Sequence, residues 1–297
     1  MARLPGGSLA RDVRCNDKPG LPAGLTGSIL AGRILILAPH MDDEILACGG
    51  AMLMHTQKAS IHCLFATDGA ASPAPLLPWM GTADAGIANQ RRREATAVAG
   101  KIGIPESNLT FLDLPDGRLS SRRSQLAAAL EDVLGATRPE FVFAPFRYDV
   151  HPDHTALNKV ARAVLRTMEA APAMLEYFVY HRLRFVPGRD VRKALDRSLL
   201  VTLDTSTVAA AKREALDCYR SQTTVQYSWQ DRPILTDESL RIRCSEPEYF
   251  LLAHPAATLS EGIAAHRRRI QFACLAARYG KRPKDRVVAL MRWLVNR

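Results

Sequence analysis

The sequence contains no uninterrupted apolar run of membrane-spanning length, which argues against a transmembrane helix. Its first residues, Met-Ala-Arg-Leu-Pro-Gly-Gly, lack the apolar core of a signal peptide, so a cytoplasmic location is expected. Cysteine is scarce: Cys15, Cys48, Cys63, Cys218, Cys244 and Cys274 are scattered without a C-x-x-C pair. Reduced core thiols are therefore expected rather than a disulfide framework. Internal repeats and low-complexity tracts are also missing. What remains is an ordinary globular composition, 47% apolar and 24% charged, in a chain long enough to bury a sizeable core.

Acidic residues are outnumbered, and the net charge is +10. The excess is local, because residues 261–297 hold ten Lys or Arg against two acids. Val287, Leu290, Met291, Leu294 and Val295 share one helical face there. This tail is read as a basic amphipathic helix packed on the core, with docking on an anionic membrane surface as the minority reading. Nucleic-acid binding is not expected, since neither a motif nor interleaved aromatics support it.

The chain is organised around residues 33–50. Ile34 to Ala38 is a short β-branched run that reads as a strand buried on both faces. Pro39 ends it, and His40, Asp42, Asp43 and Glu44 follow before a helical apolar period begins. Further strands are predicted at Ile61–Ala66, Leu109–Leu114 and Phe141–Ala144. Helices are predicted near Asn89–Ile102, over 121–136 and after His154. The repeated strand, polar loop and helix predict a Rossmann-like parallel α/β sheet with right-handed crossovers. Beyond residue 170 the pattern is mixed: strands at Tyr177–Phe185, Leu199–Leu203 and 246–253, and a helix over 207–221. The expected layout is an irregular lead-in (1–32), one catalytic domain (33–260) and the basic tail (261–297).

The reactive side chains fall at the strand ends. His40, Asp42 and Asp43 follow the first strand, Asp68 the second, Asp113 and Asp116 close the third, and His151, Asp153 and His154 follow the fourth. In a parallel sheet these ends share one edge, where open α/β sheets bind ligands. Single loop Asp or His residues are usually caps or turn formers. Two His/Asp clusters on separate strands are harder to account for in that way. Three His and carboxylate ligands with one position left for water describe a catalytic zinc site. Bound metal lowers the pKa of its water to roughly 7. A non-ligating carboxylate would then be a general base, and a non-ligating histidine an oxyanion donor or acid. Spacing alone leaves open which residue takes which part, and it admits Fe²⁺ or another divalent metal as well as Zn²⁺.

Pro39-His40-Met41-Asp42-Asp43-Glu44 and His151-Pro152-Asp153-His154 resemble the two motifs of the PIG-L/LmbE-like zinc-dependent de-N-acetylases. Thr67-Asp68-Gly69, the run Arg91 to Glu94, and Leu114 to Leu119 resemble further segments in the family's order. Weaker echoes occur at Ala215 to Gln222 and Glu248 to Phe250. The resemblance implies a Rossmann-like fold, with His40, Asp43 and His154 as metal ligands and Asp42 as general base. It implies His151 as oxyanion donor or acid, oriented by Asp153, and substrate contact by Arg91; Asp68 is read either as a site residue or as a turn former. The implied reaction removes an N-acetyl group from an N-acetylglucosamine-containing small molecule, lipid or oligosaccharide. Two rival readings are a metal-dependent phosphoesterase and a non-catalytic carbohydrate-binding protein. Met41 stands where the family usually has proline, so a freer loop and an apolar side chain near the site are expected. Gly49-Gly50 lies inside a helix, where close packing is the expected reason.

Overall fold

In a computed structural model, residues 24–72, 85–149, 151–180, 199–228 and 230–253 are described. The basic tail and residues 73–84, between the second predicted strand and the helix near Asn89–Ile102, lie outside them.

Ile34–Ala38 (β1) is buried along its whole length, and its neighbours Ile61–Thr67 (β2) and Phe141–Pro145 (β4) flank it in parallel. Leu109–Leu114 (β3) and Ala173–Tyr177 (β5) extend the sheet on either side. Leu200–Leu203 (β6) and Glu248–Ala253 (β7) add an antiparallel edge, giving seven strands in the order β3-β2-β1-β4-β5-β7-β6. The order reverses between β1 and β4. A crevice therefore opens above their carboxyl ends, the usual ligand position in such sheets.

Helices cover both faces. Leu25–Ile29 (α1), Asp43–Met54 (α2) and Ala85–Ile102 (α3) are followed by Arg123–Thr137 (α4) and Pro152–Thr167 (α5). Ala209–Leu216 (α6), Arg220–Thr223 (α7) and Asp237–Ser245 (α8) complete the set. Ile36, Ala38, Ile45 and Cys48 belong to one core layer, and Leu35, Leu37, Leu130 and Leu157 to the other. Cys48, Cys63, Cys218 and Cys244 are free thiols, as expected. No described helix is long and apolar enough to cross a membrane.

Three expectations need correction. The lead-in is not irregular throughout, because α1 buries Leu25 and Ile29 before β1. The fifth strand is Ala173–Tyr177, earlier than predicted. A charge interrupts its apolar run: Glu176 is fully buried and held by Arg147 Nε at 2.8 Å and Asn158 Nδ2 at 2.9 Å. The helix predicted over 207–221 breaks at Tyr219 into α6 and α7. That turn sends the Tyr219 hydroxyl to Glu44 Oε1 at 2.5 Å. Helix α8 is an addition that the sequence pattern does not predict.

The two glycines of α2 have a definite role. Glu248 on β7 reaches the helix backbone, accepting from Gly50 N at 2.6 Å and Ala51 N at 2.9 Å. A Cβ on Gly50 would stand 2.1 Å from Thr205 Cγ2 and 3.0 Å from Glu248 Oε1, so only glycine admits this approach. The buried Lys212 ammonium pairs with the same carboxylate at 2.7 Å. A buried charge pair of this kind is costly to break from one side.

Candidate active site

At the end of β1 the chain turns sharply into α2. Asp42 takes the N-cap position but makes no capping bond, and its backbone sits at φ 131°, ψ −25°. A non-glycine residue adopts that conformation only when its surroundings impose it. Here Glu44 Oε2 accepts from Asp42 N at 3.0 Å. Arg91 donates to the Met41 carbonyl, to Asp42 Oδ1 at 3.2 Å and to Gly69 O at 3.2 Å. The freer loop expected from Met41 is therefore not found, because the Arg91 guanidinium holds it. The Met41 side chain joins the core layer, almost fully buried, and is not among the described cavity residues. The Asp42 carboxylate, released from capping, faces the cavity. Burial pushes its pKa up to about 6 against the pull of the Arg91 charge, with Asp43 adding to the rise.

Asp43 lies between two imidazoles. Its Oδ2 is 3.1 Å from His40 Nδ1 and 3.2 Å from His154 Nε2. Although His154 is fully buried, neither of its ring nitrogens makes a geometrically sound hydrogen bond, despite carboxylate oxygens close by. Donors held about 2.0–2.2 Å from one tetrahedral zinc would stand roughly 3.3 Å apart, and the two distances from Asp43 Oδ2 to the rings are of that size. Behind each ring sits another carboxylate: Asp149 Oδ2 is 3.3 Å from His154 Nδ1. Asp116 Oδ1 and Asp153 Oδ2 are 3.2 and 3.4 Å from His40 Nε2. Such outer carboxylates orient metal-binding histidines. Among the described residues two triplets, His40–His151–His154 and His40–Asp116–Asp153, offer donor atoms that all lie within 4.8 Å of one another, and His40–Asp43–His154 is not one of them. Asp116 and Asp153 already accept from the Ala71, Gly117 and Leu119 amides.

These neighbours polarise one another. Burial disfavours a charged His40 and His154, but the surrounding aspartates outweigh it, holding His40 well above its usual value and His154 at about 9. Burial likewise disfavours an ionised Asp43, yet the two rings keep it well below the usual carboxylate range. His151 is different: burial and the charges of His40 and His154 press it down to about 4. It caps α5, its Nδ1 accepting from Asp153 N at 3.3 Å, which leaves the ring proton on Nε2.

The structure brings His40, Asp42, Asp43 and His151 to the wall of one cavity of about 670 Å³, with His154 packed against them. Asp153 is placed otherwise than expected. From the first turn of α5 its carboxylate points at the 117–119 loop and His40, leaving His151 to its backbone amide alone. Arg91 reaches the cavity lining, but its nearly buried guanidinium is directed at Asp42 and two carbonyls. Asp68 is not among the described lining residues: its Oδ1 accepts from Ala70 N and Asp116 N at 3.0 and 3.2 Å, bracing the loop that carries Asp116. Asp149 was missed. It lies two residues before the second motif, and an aspartate at that spacing is the available signal.

An Asp149→Asn exchange should weaken metal binding about 10–100-fold with little change in fold. Zinc titration against a competing chelator, beside circular dichroism, checks this.

Residues 35–165 match the PIG-L family model, described as GlcNAc-PI de-N-acetylase. The matched segment runs from β1 into the last turn of α5 and so contains the site residues named above. Among curated proteins none matches. Solved structures similar to the chain include the conserved protein TT1542 from Thermus thermophilus, at 24% identity and TM-score 0.51, covering 77% of this chain and 97% of that one. The A40926 pseudoaglycone deacetylase Dbv21 aligns at 18% identity and TM-score 0.54, covering 76% and 99%. The zinc-inhibited form of teicoplanin deacetylase Orf2 aligns at 14% and 0.50, covering 74% and 97%. At these identities the likeness is one of fold.

Proposed function

We propose that the protein is a metal-dependent N-deacetylase that hydrolyses the N-acetyl group of an N-acetylglucosamine-containing substrate. The observation that carries this reading is Asp42. Its carboxylate makes no capping bond and is pinned by Arg91 on a strained backbone, beside a His/Asp/His set whose rings are each backed by an aspartate. The match of residues 35–165 to a family model described by de-N-acetylation supports it.

His40, Asp43 and His154 would hold zinc or another divalent ion, which when bound supplies activated water and polarises the amide carbonyl. Asp42 accepts the proton of that water as it attacks the carbonyl carbon. The same carboxyl then returns the proton to the departing nitrogen, so the C–N bond breaks to acetate and free amine. His151 donates through Nε2 to the oxyanion. With Nδ1 occupied as acceptor, it serves as a neutral donor rather than as the acid. Arg91 keeps Asp42 aimed, and Asp153 keeps His40 aimed.

The test is acetate release from free, nucleotide-linked, inositol- or lipid-linked and oligosaccharide N-acetylglucosamine, with metal content measured on the same sample. Acetate release with one metal per chain is expected. Phosphate release from monoesters with two metals per chain would replace this reading with a phosphoesterase.

A further inference from the structure

One peptide group in the site is tied at both ends. Arg91 Nη2 donates to the Met41 carbonyl, and the N–H of the same Met41–Asp42 peptide donates to Glu44 Oε2 at 3.0 Å. The peptide is planar, so holding its oxygen and its nitrogen sets the direction of the whole group. Asp42 turns off that plane at φ 131°, a value that a non-glycine residue keeps only under constraint. Its carboxylate is therefore aimed by the peptide before it as well as by Arg91.

The two ties rest on different supports. Arg91 has a further bond to Gly69 O at 3.2 Å. Glu44 is a rotamer-rich side chain, and its other oxygen, Oε1, accepts from the Tyr219 hydroxyl at 2.5 Å. Both side chains are buried, Tyr219 completely. Neither is among the described residues that line the cavity, so the geometry gives them no contact with substrate. A buried carboxylate and hydroxyl hold each other firmly, because leaving either one alone is costly. Tyr219 is fixed in turn from α3. Two residues further on, Ser221 donates through N at 2.8 Å and through Oγ at 2.5 Å to Glu94, one turn of α3 beyond Arg91. Both ends of the Met41–Asp42 peptide thus lead back to one helix.

We propose that Tyr219 is a positioning residue for the general base. Through Glu44 it fixes the amide end of the Met41–Asp42 peptide and keeps the Asp42 carboxylate in line for proton transfer. The inference rests on the deacetylase reading, in which Asp42 carries the proton.

The experiment is a double-mutant cycle on the metal-loaded full-length protein: native, Tyr219→Phe, Asp42→Asn and the pair. Acetate release is followed on whichever of the free, nucleotide-linked, inositol- or lipid-linked and oligosaccharide substrates is turned over fastest. Misplacing a reacting group by about 1 Å costs on the order of a hundredfold. Loosening one tie of several should cost part of that, about tenfold in kcat, with KM and metal content unchanged. In the Asp42→Asn background the same exchange should cost nothing further, because its effect passes through the missing carboxylate. A loss of equal size in both backgrounds, a loss seen in KM or metal content instead, or native kcat in Tyr219→Phe would overturn the proposal. If Tyr219→Phe fails to fold, two exchanges at Glu44 take its place. Glu44→Gln keeps an oxygen for Asp42 N and should hold kcat within about threefold, whereas Glu44→Met keeps none and should fall about tenfold; equal values would overturn the proposal. A second readout needs no turnover. In protein labelled with ¹⁵N-aspartate, the Asp42 amide signal, identified by its loss in Asp42→Asn, should move in Tyr219→Phe while that of Asp149 stays. No acetate release from the native protein would sink the deacetylase reading, and an unmoved amide signal would sink the tie from Tyr219 to Asp42.

Discussion

An Asp42→Asn variant should retain its metal and its fold, yet release acetate about 10²–10⁴-fold more slowly than the native protein. That range is what a positioned general base contributes. The exchange keeps the size of the side chain and preserves an oxygen for Arg91 Nη2, now 3.2 Å from Oδ1. It removes only the ability to take and return a proton. Metal analysis and single-turnover acetate assays on one preparation check both halves of the expectation. A variant with native turnover would mean that another group moves the proton.

The companion exchange, Asp43→Asn, should reverse the pattern. Asp43 Oδ2 is the atom closest to both His40 Nδ1 and His154 Nε2. An amide in its place removes an anionic ligand and leaves the rings without their shared counter-charge. Metal content should fall to background under conditions that saturate the native protein, and acetate release should fall with it. Added metal should restore little activity. Together the two variants divide neighbouring carboxylates into proton carrier and ligand. Retained metal in Asp43→Asn would move the ion to one of the alternative sets around His40.

Much of this site could be read from the letters because its parts sit at strand ends. A buried β-branched run followed by Pro39 and His40 fixes where β1 stops, and a parallel sheet brings that end beside His151 and His154. The alternation of apolar runs and polar loops was sufficient for β1 to β4 and their helices. What failed to show were features that depend on tertiary partners. Glu176 hides a strand because its charge is satisfied by Arg147 and Asn158, neither of which local pattern can supply. Tyr219 ends a helix in order to reach Glu44, far away in sequence. Asp153 has the spacing of a partner for His151, yet its direction is set by the amides of Gly117 and Leu119. Arg91 looked like a residue for substrate, and only the contact with Asp42 shows where its charge is directed.

The family-matched stretch ends at residue 165, but the support of α2 and the turn before it is not complete there. Glu248 hydrogen-bonds the α2 backbone at Gly50 and Ala51, and Tyr219 braces Glu44, which in turn holds the amide of Asp42. The late elements are therefore a buttress clamped onto the reactive loop from behind. Removing β7 would unfasten that loop without deleting a single ligand, so the smallest working unit must extend well past the recognisable motifs.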